Sequence, residues 1–590
     1  MKFNEELTAR QLSPEDLDPK VTFCLQYLKA SDIPPLDHGC CSHVLGFYHA
    51  HVALRSLANI SYLARPALDS QFVTRLLDAW PDIWKWLEYT FDNWVVSPMF
   101  DLNNSTRFHA FQMVVIALRS FIKLPPCCEL ILSNEGGKKA FVMLGSCWLY
   151  EFEDEFKTAS NDDHLLSAAE PLLDLGTFKP GPPPDMFFGC ILSSTRDTSR
   201  PARVALHHLA WYVTSPAPWD PQALFLLDYH LRMASTISVA PQYLDALLAQ
   251  HSVRTVTRIL VSLASTPYDD ATATGAAQAI AAGLAFLNTV LPAADGFAWT
   301  THAVQIGLLP ALLRAHAWLD DLPEDREGST TLVELLRLLS LYSLYPSLLR
   351  VLVHSVNRVR ELNLPDIIKD DAPVMAAYQE LEDLVHERSA LMETDLEICC
   401  QNPSCRKTDA QNNFSSCSGC FTTAYCSTDC QKAHWKNGHR DDCKALKELR
   451  EDGRAPPISA EDYDSACKLV IEEVRKRKGD ITPVWRAEPP APGRAPALSL
   501  NYFLDDPRGV LVVGAPDVHP PQGYAEFASV RATWDDVLAQ EIHREHIIVG
   551  AYLPHGSTGK LHFMWMGIND RLPPSEGSIA ERLIRTVEMM

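Results

Sequence analysis

Between residues 400 and 443 the chain reads Cys400-x4-Cys405-x11-Cys417-x2-Cys420-x5-Cys426-x3-Cys430-x8-His439-x3-Cys443. No other stretch limits the possible folds so tightly. The sequence has 16 cysteines in 590 residues, so a window of this size would hold about one at the average rate, and this one holds seven with a histidine in step. Structural zinc takes four Cys or His ligands in a tetrahedron, so eight candidates make two closed sites. A catalytic zinc keeps a position open for water, and two closed sites leave none, which makes the expected role of both ions structural. Disulfides would need an oxidising compartment. The opening Met1-Lys2-Phe3-Asn4-Glu5-Glu6 has early acidic residues and no apolar run of the secretory kind. The expectation is an intracellular protein whose cysteines bind metal, with nucleus and cytoplasm both open.

The spacing, the Ala424-Tyr425-Cys426-Ser427 step, the Cys430-Gln431-x3-Trp435 step and the His439-x3-Cys443 end together resemble the MYND zinc finger. That resemblance implies interleaved ligation. Cys400, Cys405, Cys426 and Cys430 would hold one zinc, and Cys417, Cys420, His439 and Cys443 the other. Each ion would then tie together segments distant in sequence, so that a module with almost no core folds through metal-binding energy. Four residues separate Cys400 from Cys405 where two are commoner in the family. Cys399 could compete for the first position; Cys400 is preferred because it gives the Cys-x-Asn-Pro-x-Cys form, leaving Cys399 as a spare thiol. The family docks short proline-containing peptides along an exposed strand beside the Gln and Trp of the Cys-Gln-x3-Trp step. Here those residues are Gln431 and Trp435, four apart on one helical face, offering an amide and a flat ring.

The remainder of the chain is far too long for one hydrophobic core. From about 23 to about 390 apolar residues recur at three-and-four spacing, broken by Pro, Gly or Asp, as at 72–80, 108–122, 202–213 and 332–353. This predicts an irregular stack of helices, and Ile306-Gly307-Leu308-Leu309-Pro310-Ala311-Leu312-Leu313 resembles the start of an armadillo-type helix. Loops are expected at 161–163, 179–184 and 320–328, and a last helix at about 374–393 carries the finger. After Cys443 a helix to about 450, a Pro-bearing linker at 454–457 and a helix over about 460–477 are expected. A Pro/Ala-rich segment at 487–496 follows, then strand-like runs at 497–503, 509–514, 547–553 and 561–566, with a helix at 534–542. The expected class is mainly α and multidomain: a helical body at 1–395, a two-zinc finger at 396–445, a helical linker at 446–480 and a small α+β domain at 481–590.

Charge bears on partners. The formal net charge is −22, which repels a polyanion. Residues 399–447 hold seven Lys/Arg and four Asp/Glu, or +3, and seven thiolates with two zinc ions bring the total to about zero. Nucleic acid is therefore not an expected partner. The uncharged stretch between Asp270 and Asp295 owes its apolar content mostly to Ala, which predicts a buried helix, with no membrane partner. His555-Gly556-Ser557-Thr558-Gly559-Lys560 has the look of a phosphate loop, but Pro554 stands where the first Gly is needed and Leu561 follows the Lys; a hairpin turn is expected. The sequence thus reads as an adaptor or scaffold that is not an enzyme, binding proline-containing partners through two structural zinc ions, with transcriptional regulation as one setting. The rival is an enzyme targeted by the finger: a SET-like methyltransferase, for which the upstream β-rich half and the Asn-His-Ser-type cofactor motif are missing from the sequence, or another activity seated in the terminal α+β domain or the helical body, where the sequence shows no nucleophile–base pair or cofactor loop.

Overall fold

The computed structural model describes residues 14–34, 41–63, 70–96, 104–133, 136–151, 167–178, 184–195, 197–215, 217–293, 297–319, 326–368, 373–391, 398–405, 407–409, 414–420, 423–451, 460–477, 479, 497–502, 508, 510–513, 546–555 and 558–567. The chain is mainly α-helical and separates into two compact units, Met1–Ile237 and Ser238–Met590. Of the loop expected at 179–184 only Pro184 is described, and of that at 320–328 only 326–328; these residues open helices instead. The loop at 161–163, the linker at 454–457, the segment 487–496 and the helix expected at 534–542 lie outside the described residues.

The first unit contains α1 (Pro14–Gln26), α2 (Cys41–Leu63), α3 (Ser70–Asp78), α4 (Trp80–Thr90), α5 (Asn104–Ile122), α6 (Pro125–Leu132), α7 (Gly136–Tyr150), α8 (Ala169–Thr177), α9 (Pro184–Ser194), α10 (Ser199–Thr214) and α11 (Pro221–Ser238). Helices α2 and α5 pack on each other, as do α7 and α9. Their shared faces bury Leu54, Leu57, Val114, Leu118, Phe141 and Ile191 completely, each contributing on the order of 1.5–3 kcal/mol of transfer free energy. One charge is taken inside: Glu170, 1% exposed, meets Arg119 Nε at 2.7 Å and the Lys123 ammonium. A buried carboxylate needs such partners, because desolvation alone would cost several kcal/mol.

The second unit continues with α12 (Pro241–Ala249), α13 (Ser252–Ser265), α14 (Asp270–Ala293), α15 (Ala298–Ile306), α16 (Leu308–Leu319), α17 (Arg326–Tyr342), α18 (Pro346–Glu361) and α19 (Pro373–Leu391). Helix α14 is the buried helix expected between Asp270 and Asp295. Among the described residues it is the one helix long and apolar enough to cross a membrane, and 61% of that window is buried inside the fold, where it packs against α13, α16 and α17. The segment expected as one helix at 332–353 is two, α17 and α18. Pro346 is the reason: it opens α18 with Tyr345 extended at φ −96° and ψ 123°, because proline disfavours helical geometry in the residue before it.

Beyond α19 lie the finger strands β1 (Ile398–Cys399), β2 (Thr408–Asp409), β3 (Ser415–Ser416) and β4 (Ala424–Tyr425), then α20 (Thr428–His434), α21 (Arg440–Glu451) and α22 (Ala460–Lys476). A four-stranded sheet of β5 (Ala497–Asn501), β6 (Val510–Val513), β7 (His546–His555) and β8 (Thr558–Gly567) follows, in the order β6-β5-β7-β8. Strands β5 and β7 are parallel, and the other pairs antiparallel. The β7–β8 pairing runs to His555 opposite Thr558, so the segment that looks like a phosphate loop sits at the closed end of a hairpin. In β7, Val549 through Pro554 are all buried, as befits a central strand covered on both faces. The cover comes partly from α22. Tyr345 donates a hydrogen bond to the Pro554 carbonyl at 2.6 Å, and Glu387 of α19 meets Arg508 at 2.8 Å and the Lys476 ammonium.

Candidate metal centre

The finger is built from two short hairpins and two helix starts. In the first hairpin β1 pairs with β2; Cys400 N donates to Lys407 O at 2.9 Å and Cys405 N to Asn402 O at 2.8 Å, closing a loop that presents both sulfurs inward. In the second, β3 pairs with β4, and Cys417 N donates to Thr423 O at 2.8 Å. Gln401 joins the two: its N–H donates to Ala424 O at 3.1 Å, and its Oε1 accepts from Ala424 N at 2.8 Å. That stitch carries β4 alongside the first hairpin, so Cys426, just past β4, arrives at the first cluster. Ser427 caps α20, accepting from Cys430 N at 3.2 Å, and the cap fixes Cys430 one helical turn from Cys426.

A turn over Trp435–His439 then redirects the chain. Gly438 takes φ +126°, a conformation that costs a side-chain-bearing residue about 1 kcal/mol or more. The turn sets His439 and, one turn into α21, Cys443 against the second hairpin. Gly419 completes the close approach, since a Cβ there would lie 2.7 Å from Cys443 Sγ.

Two clusters result, Cys400–Cys405–Cys426–Cys430 and Cys417–Cys420–His439–Cys443, the ligand atoms of each lying within 4.8 Å of one another. The separations are informative. Cys405 and Cys426 sulfurs are 3.7 Å apart, Cys426 and Cys430 3.6 Å, Cys417 and Cys443 3.8 Å, and Cys420 Sγ lies 3.8 Å from His439 Nε2. A disulfide would need about 2.05 Å. Zinc–sulfur bonds of about 2.3 Å at tetrahedral angles place sulfurs about 3.8 Å apart. The clusters therefore fit two zinc ions, each closed by four protein ligands. Bound zinc supplies the positive charge and four coordinate bonds that hold the two hairpins and two helix starts together. The core around them is little else: Tyr425, 1% exposed, packs among the buried Cys400, Cys417, Cys420 and Cys443, with Phe414 and Leu446 at its margin. None of the cysteines whose side chains are described is in a disulfide.

Without metal the thiols titrate unevenly. Burial works to raise the Cys417 thiol, but the N–H groups of Cys420 and Gly419 and the His439 ring pull it down to about 6. The Ser427 hydroxyl and the Asn402 and Cys426 side chains bring Cys430 down to about 7. Burial, reinforced by neighbouring sulfurs, pushes Cys426 and Cys443 up to about 12. Each cluster thus contains one readily ionised sulfur and one that keeps its proton at neutral pH until a metal displaces it to solvent.

All eight sequence-predicted ligands are gathered in these clusters. The side chain of Cys399 lies outside the described residues. Gln431 is half-buried on α20, and Trp435 is 42% exposed. The indole packs edge-on against His439, ring centroids 5.9 Å apart, so it braces a zinc ligand and still shows surface to solvent. Sequence reasoning missed Thr423, Gln401, Asn402 and Ser427. Ser427 carried a readable sign, a serine directly before a helix. Thr423 carried none, because its part depends on a fold-back between distant segments.

A family model described as the MYND finger matches residues 400–443. No curated protein and no solved structure matches the chain. Residues 400–443 are a MYND-type zinc finger, and the helical and sheet regions stand on their own geometry.

Proposed function

We propose that this chain is an intracellular adaptor that captures other proteins through its finger and performs no catalysis there. The MYND finger is a protein-interaction module, and the observation that carries the reading is the match of that family to two four-ligand clusters. Each cluster offers four protein ligands, a full tetrahedral set for one ion, which leaves the ions a structural part. In the finer reading the finger docks proline-containing segments, with Trp435 offering an exposed ring on which a proline can stack and Gln431 an amide beside it. Transcriptional regulation is one setting for such an adaptor.

The test is capture of proline-rich peptides by the purified full chain, compared with Trp435→Ala. Expected is loss of capture with both zinc ions retained. Undiminished capture by the variant would place the contact elsewhere.

A further inference from the structure

The two clusters differ in their surroundings. All four ligands of the second are buried, whereas Cys405, Cys426 and Cys430 of the first are only partly so. At the buried cluster a side chain that is no ligand reaches two ligands at once. Thr423 is 8% exposed; its Oγ1 lies 3.3 Å from Cys420 Sγ and 3.5 Å from His439 Nδ1. Its carbonyl also accepts from Cys417 N at 2.8 Å, so this one residue touches three of the four ligands.

We propose that Thr423 is a positioning residue of the second zinc site, holding His439 with Nε2 toward the ion and supporting Cys420 as a thiolate. The protons leave one arrangement that serves both neighbours. A zinc-bound Cys420 has lost its proton and can only accept. The threonine hydroxyl has one hydrogen, which goes to that sulfur. Its oxygen then faces the imidazole with lone pairs alone, so the ring hydrogen sits on Nδ1 and donates to it. The Nε2 lone pair is thereby directed to the metal, and Nε2 is the nitrogen that lies 3.8 Å from Cys420 Sγ. Outer hydrogen bonds of this kind fix the tautomer and orientation of a ligating histidine, and losing one costs about 10- to 100-fold in metal affinity.

The experiment uses the full chain with both zinc ions bound. Thr423→Val keeps the shape and the backbone carbonyl but removes the hydroxyl; Thr423→Ser keeps the hydroxyl. In competition with a chromophoric chelator, the valine variant should hold one of its two ions at least about 10-fold more weakly, and the serine variant both ions as the parent does. Thiol alkylation during the competition should reach Cys417, Cys420 and Cys443 first. A valine variant that holds both ions like the parent, or a serine variant as weak as valine, overturns the assignment. A crystal structure of the zinc-loaded parent adds a readout independent of either variant folding: Nε2 on the metal is expected, and Nδ1 on the metal overturns it.

Discussion

Eight ligands in the finger compete with protons for the same lone pairs, and the thiols set the terms of that competition. In the folded geometry without metal Cys426 and Cys443 are held at about 12, and in the unfolded metal-free finger the thiols return to about 8.5, so in either state most of their protons are on at neutral pH. Zinc uptake at pH 7.5 should therefore release at least two protons per finger, detectable by calorimetry in buffers of different ionisation enthalpy. The sign follows: the thiols of the metal-free finger are protonated below their pKa, so zinc affinity rises with pH through the neutral range. Uptake with no proton release would mean that thiolates are not the ligands. These residue types at this spacing were legible in the sequence, because metal chemistry accepts so few side chains. Thr423 was not, because a threonine three residues past a cysteine means nothing until the loop closes on His439.

At the scale of elements, two helix starts show the same contrast. Helix α20 is capped locally by Ser427, the residue just before it, and that start can be read from sequence. Helix α18 begins at Tyr345-Pro346, and its N-cap residue makes no side-chain cap. The cap comes from α22: the Asp462 carboxylate, in a residue 4% exposed, accepts from Ser347 N and from Ser347 Oγ, both at 2.8 Å. It places negative charge at the positive end of the helix and satisfies a half-buried N–H. Replacing Asp462 with alanine should destabilise the second unit by about 2 kcal/mol, measured as a lowered urea midpoint, with zinc content unchanged. An unchanged midpoint would show that the 115-residue separation is bridged without energetic consequence. Pro346 also accounts for the division of the 332–353 segment, a break that local chemistry announces and that periodicity alone runs across.

For the molecule as a whole, zinc and apolar burial support different regions. The finger's interior consists mainly of its own ligands around Tyr425, whereas the helices of both units bury continuous Leu, Val, Ile and Phe surfaces. Stripping zinc should therefore unfold residues 400–443 and leave the helical bulk standing. Helices α20 and α21 contribute only 7 and 12 residues to a chain of 590, so the far-UV helical signal should fall by no more than a few per cent while proteolysis concentrates in the finger. A collapse of the helical signal on chelation would show that the second unit depends on the finger for its fold.

The sequence by itself determined the mainly helical class, the position of the finger, its eight ligands and the strand segments near the carboxyl end, since each follows from local periodicity or from the narrow chemistry of metal ligation. Only the tertiary structure decided that α22 and the strands pack against α18 and α19 through Asp462, Tyr345 and Glu387, and that Thr423 stands between His439 and Cys420. All of those contacts except Thr423 to Cys420 join residues far apart along the chain, and a hydrogen bond between distant residues depends on where the whole chain turns, which no local pattern of side chains contains.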